Sequence, residues 1–156
     1  MSSQVILMPE KEKIRPITST DMIFISEISR RGSGQEKNPD SALFWLEKAA
    51  EEGNCTAMEM LAMNYLNGGD LVEKDEKEAV KWFEKAATAG SPDAMVFLGL
   101  AHLLEIGVPF EPMTALFWLR KASERGNEDA DEVLTTFFEQ KLDKKIEDLQ
   151  ETAENQ

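Results

Sequence analysis

Few residues of this chain have the types and spacing that chemistry requires. His102 is the only histidine, and with Glu105 one helical turn further on it forms the one pair from which a metal site could grow. Zinc and similar ions need three or four such ligands. A histidine at this place therefore reads as a core residue whose ring nitrogen is hydrogen-bonded, and no metal ligand is assigned. Cys55 is the only cysteine, which excludes an intrachain disulfide and a multi-cysteine zinc site. It stands at a helix start, a place that lowers a thiol pKa, but no base accompanies it in the sequence pattern. The acid pairs Glu51-Glu52 and Asp75-Glu76 would need a cleft before they could do acid–base work. There is no phosphate-binding glycine loop, no G-x-S-x-G and no H-E-x-x-H. The expectation is a protein without catalytic residues, cofactor or metal.

The elements that carry these residues repeat. Ser41–Gly53 reads SALFWLEKAAEEG, Glu78–Gly90 reads EAVKWFEKAATAG, and Thr114–Gly126 reads TALFWLRKASERG. Their tryptophans, Trp45, Trp82 and Trp118, recur at intervals of 37 and 36 residues, a period typical of helical solenoids. Between them run helices with a second pattern: Ala57, Leu61, Tyr65, then Ala94, Leu98, His102, then Ala130, Leu134, Phe138. Steps of four place each set on one helix face. Asn38-Pro39, Asp75 with Glu78, and Ser91-Pro92 are cap signals that open helices, and Gly53, Gly90 and Gly126 close them. Asp21–Arg31 reads as a shorter first helix introduced by Thr18-Ser19-Thr20. The spacing of Ile28 to Trp45 matches that of Tyr65 to Trp82, so Ile28 is expected in the tyrosine position.

The fold expected is all-α, a short right-handed solenoid of stacked helical hairpins over residues 20–138. Residues 1–19 are expected as a flexible tail. Residues 139–156 form an acidic amphipathic segment, with Leu142, Ile146 and Leu149 on one stripe, expected to cap the last hairpin. No apolar run reaches the length of a membrane span, and the N-terminus lacks the pattern of a secretory signal. A cytoplasmic location is expected. Net charge is −13, and from residue 41 onward 24 acids face 11 bases. Such a surface disfavours nucleic acid and favours a basic partner.

The string A-x-x-x-L-A/G-x-x-Y/H, a glycine-containing loop, then A-x-x-W-x-x-K-A-A/S-x-x-G resembles the Sel-one-like repeat, a relative of the tetratricopeptide repeat. The resemblance covers about residues 20–138. Its departures are Ala62 in place of a frequent glycine, His102 in the tyrosine position, and a loop, PFEP, without the usual second glycine. It implies an adaptor or scaffold that assembles protein complexes. Disulfide-rich bacterial members have been labelled β-lactamases, and a chain with one cysteine departs from them.

In such a superhelix the first helix of each hairpin lines the concave face. The positions left there are Glu59, Met60 and Met63, then Val96, Phe97, Leu100 and Leu103, then Glu132, Val133 and Thr136. Their apolar content points to a groove for a peptide or helix, with methionines that adapt to shape. Burial of Met60, Val96 and Phe97 between neighbouring helices is the alternative. Two functions are carried forward: a non-enzymatic protein-interaction scaffold, and an acidic inhibitor, such as a toxin-neutralising protein, that covers a basic enzyme.

Overall fold

The structure, a computed structural model, describes residues 16–32 and 36–137. Residues 1–15 of the tail expected over 1–19, and the amphipathic segment over 139–156, lie outside the described residues, and the expected tail's last residue, Ser19, already begins a helix. Within them the chain forms α1 (Ser19–Arg31), α2 (Pro39–Glu51), α3 (Cys55–Asn67), α4 (Glu76–Thr88), α5 (Pro92–Leu104), α6 (Pro112–Ser123) and α7 (residues 128–137), with no strand. Successive helices pair as hairpins, α1 with α2, α3 with α4 and α5 with α6, and each hairpin stacks on the next through α2 on α3 and α4 on α5. A lone hairpin leaves one face bare, and stacking buries it.

Every helix but α6, whose cap position Glu111 makes no side-chain cap bond, starts where its sequence supplies a cap. The Asp21 backbone N–H donates to Thr18 Oγ1, and the Thr18 N–H donates back to Asp21 Oδ2 at 2.9 Å, a reciprocal capping box. Asn38, Asn54, Asp75 and Ser91 likewise accept from the first-turn N–H groups of their helices, each worth about 1 kcal/mol. Two asparagine caps also bridge hairpins. Asn54 Nδ2 donates to Ser19 Oγ at 3.1 Å and Asn127 Nδ2 to Asp93 Oδ1 at 2.8 Å, tying the start of one hairpin to the start of the one before.

Backbone hydrogen bonds set the register of the hairpins. The cap N–H of each second helix donates into the first helix: Asn38 to the Ser29 carbonyl, Asp75 to Tyr65 and Glu111 to His102. Ser29, not Ile28, therefore occupies the tyrosine position. The spacing to the tryptophan misleads here because the α3–α4 connection is one residue longer than the other two, as the cap positions show.

Counted from its cap, each first helix places a methionine fourth (Met22, Met58, Met95) and a small residue eighth (Ser26, Ala62, Gly99), all buried. The small residue lets the partner helix approach. A Cβ at Gly99 would lie 2.5 Å from Leu119 Cγ, and Ser26 Oγ instead donates to the Ala42 carbonyl at 2.7 Å. Leu46, Leu61, Leu98 and Leu119 are fully enclosed, with alanines around them. The repeated tryptophans are only half-buried. Lys85 Nζ sits 3.6 Å from the Trp82 ring centre, and Lys48 and Lys121 lie over Trp45 and Trp118 at 5.6 and 5.4 Å. The repeated W-x-x-K spacing thus places a cation over an indole face.

Candidate functional site: a groove between first helices

The two junctions between successive first helices are built differently. Beside α3 and α5, Phe97 of α5 lies flat on Phe83 of the intervening α4, with ring centres 3.8 Å apart and planes 22° from parallel. Val96 is buried, and Leu100 and Leu103 pack partly buried against the core. At the α1–α3 junction the corresponding residues, counted from the caps, are Leu46 for Phe83 and Met60 for Phe97. A groove of about 480 Å³ opens there. Met60, Met63 and Leu71 give it apolar walls above buried Leu46 and Ser26, and Glu27, Arg30, Thr56, Glu59, Asn64 and Asn67 give it a polar rim. Asn64 stands where the other junction has Ala101, and its Nδ2 donates to the Met60 carbonyl at 2.7 Å.

The residues expected from sequence divide accordingly. Glu59, Met60 and Met63 come together on the groove, with Met63 45% exposed. Val96 and Phe97 are taken up in packing, whereas Glu132 and Thr136 are exposed on α7, away from both. Val133 packs partly buried against the core. Glu59 also accepts a short hydrogen bond from the Ser91 hydroxyl, the side chain that caps α5. Sequence reasoning passed over Leu46, Asn64 and Asn67. A cap-by-cap comparison of the hairpins would have found them, because each replaces a larger or more apolar residue of the other junction: Phe83, Ala101 and Leu104.

Glu27 is the charged centre of the rim. Its carboxylate takes Arg30 Nη2 and Arg31 Nε, both at 3.1 Å. The hydrogen bond and charge of Arg30, aided by Arg31, hold the Glu27 pKa below the usual glutamate value against the opposing effect of burial. A carboxylate pKa lowered by folding adds stability above its unfolded value, and that stability is lost as pH falls through the folded one. Glu27→Gln is therefore expected to cost less than about 1 kcal/mol at pH 7, both arginines being exposed to solvent. In urea titrations at pH 7 and pH 3, the gap between variant and wild type should close at the lower pH.

The residues considered for chemistry are dispersed. His102 is buried, with Nδ1 3.3 Å from the Pro109 carbonyl and 4.0 Å from Glu111. Glu105 is exposed and ends α5 in the left-handed conformation. Cys55 Sγ faces the Ala89 carbonyl at 3.8 Å. No cluster of three or more metal-ligating side chains occurs among the described residues, and no helix among them is long and apolar enough to cross a membrane.

Stacked helical hairpins of this period, with a tryptophan-bearing second helix and a groove between first helices, define a tetratricopeptide-like solenoid. The Sel1 repeat pattern matches residues 22–54, 56–91 and 92–127, and the chain belongs to the Sel1 repeat family. Among solved structures it is similar to a Sel1 repeat protein from Oxalobacter formigenes, at 36% identity and a TM-score of 0.69, covering 76% of this chain and 88% of that one. A protective antigen of uropathogenic Escherichia coli with an SLR fold matches at 29% identity and a TM-score of 0.66, over 73% of this chain and 24% of the antigen. Cysteine rich protein B of Helicobacter pylori shares the fold at 24% identity and a TM-score of 0.60, over 73% of this chain and 90% of that one. No curated protein matches significantly. Members of this family are generally protein-interaction scaffolds, and the repeat fold is typically non-catalytic.

Proposed function

We propose that this protein is an interaction scaffold that holds a short peptide segment of a partner in the concave groove between α1 and α3. The observation that carries the reading is the groove itself, with half-exposed Met63 and partly exposed Met60 on its wall and the side-chain amides of Asn64 and Asn67 beside them. An apolar floor with side-chain amides on its rim suits an extended segment, whose side chain takes the floor and whose backbone meets the amides. Met63, half-exposed at the edge, can follow the shape of the occupant.

The test is a selection of binders from a displayed random-peptide library, followed by fluorescence anisotropy of the best peptides. Met63→Glu places a charge on the groove wall and is expected to weaken them at least about tenfold, the scale of a central contact. Peptides that bind the variant as well as wild type would show that the groove is not their site.

Net charge supports a second reading, in which the acidic surface covers a basic protein such as an enzyme it inhibits. Binding of that kind falls steeply with salt and tolerates Met63→Glu.

A further inference from the structure

The first and last described helices finish the solenoid differently. Each later first helix packs the sixth residue after its cap inward: Phe97 lies on Phe83, and Met60 and Val133 pack partly buried against the core. In α1 that residue is Phe24, which is 66% exposed, since no second helix precedes it among the described residues. Ile25 stands where Leu61 and Leu98 are fully enclosed but is only half-buried, and Ile28, one turn beyond Phe24, is 41% exposed. On α7, by contrast, Asp131 and Thr135 are exposed where the earlier first helices bury a methionine and a small residue. A terminal repeat needs a polar outer face of that kind, and the middle of α1 does not supply one.

Charge and pattern both suit a second copy of the chain. Residues 1–40 hold six acids and six bases, so the whole excess of −13 lies beyond them, and two copies meet here with the least mutual repulsion. Along the outer face of α1 run Asp21 in the first turn, Phe24 and Ile28 in the middle, and Arg31 in the last turn. We infer that the protein forms a twofold dimer through this face. Two copies of α1 lie antiparallel about an axis between Phe24 and Ile28, so each Phe24 meets the partner's Ile28 and each Asp21 lies near the partner's Arg31. An isologous interface requires this self-complementarity. Asp21 stays charged while it accepts from the Thr18 cap, and Arg31, exposed, keeps donors beyond the Nε that binds Glu27. The groove opens on another side of α1, past Ser26, Glu27 and Arg30. The dimer therefore presents two grooves at once, which makes a scaffold bivalent, and it stands whether or not the groove is the docking site.

The experiment is sedimentation velocity of the full chain over a dilution series, with circular dichroism confirming that each variant is folded. Wild type is expected to dimerise. Phe24→Glu and Ile28→Arg, both changes at exposed positions, should each weaken the dimer at least about tenfold, the scale of a central contact. An equimolar mixture of the two variants should dimerise again. In the mixed pair one contact joins the introduced carboxylate to the introduced guanidinium, and its twofold mate is the native one. Wild type that stays monomeric at every concentration would overturn the inference, and a loss of stability in Phe24→Glu would then assign the face to the chain's own residues 1–15. A dimer indifferent to Phe24→Glu would overturn the α1 interface, and a mixture that fails to recover would overturn its antiparallel register.

Discussion

Leu98→Ala is expected to lower the folding free energy by about 2–5 kcal/mol, the range for deleting an enclosed leucine. Leu98 has no exposed surface, and neither do its neighbours in the core Leu61, Ala94, Ala101 and Leu119. It lies on α5 in the third hairpin, within the core shared with the second, so nothing at the surface can relax inward to fill the void. Half-buried Trp82 would leave a surface notch instead, and its loss should cost less than that of a fully enclosed tryptophan. Urea denaturation followed by circular dichroism checks this: the midpoint should fall with the slope unchanged. A shift of less than about 1 kcal/mol would mean that the stack yields around the void instead of holding its packing.

Gly107→Ala is expected to cost a comparable amount by a different route. Gly107 has φ 69°, and a Cβ there would stand 2.5 Å from the Glu76 carbonyl oxygen and 2.7 Å from its carbon. The left-handed conformation costs a non-glycine residue about 1–2 kcal/mol. Overpacking adds about 1–3 kcal/mol, because the group in the way is backbone and cannot swing aside. The α5–α6 loop lies here against the start of α4, so the strain falls on the contact between two hairpins. The same denaturation experiment should show a loss of about 2–5 kcal/mol. Gly53→Ala is the control: its φ is 88° but nothing lies within 4 Å of a Cβ, so only the conformational part of the loss should remain.

The hairpin architecture was legible because its signals are local. Caps such as Asn38, Asn54, Asp75 and Ser91 act within one turn, and the closing glycines Gly53, Gly90 and Gly126 act at one φ angle. Register was less legible. Measuring back from Trp45 put Ile28 in the tyrosine position, and only the cap-to-carbonyl bond from Asn38 shows that Ser29 holds it. The tryptophans, the loudest feature of the sequence, turned out half-buried under lysines, whereas the quiet alanines Ala42, Ala79 and Ala115 are fully enclosed. The groove was legible only in part. Helical spacing named Met60, Met63 and Phe97 together, because spacing reports a face and not what lies opposite it. That Phe97 finds Phe83 depends on a pair of residues on different helices, and a pattern along one chain does not display such pairs.

The most direct measurement is the affinity of one library-selected peptide for wild type and for Leu46→Phe/Met60→Phe, by fluorescence anisotropy, with circular dichroism confirming that both are folded. The variant gives the first junction the side chains that the second already accommodates, so the fold should persist while the groove closes. A peptide held in the groove should lose at least about tenfold in affinity. Undiminished binding by the folded variant would contradict the groove as the docking site and place the partner on another surface of the solenoid.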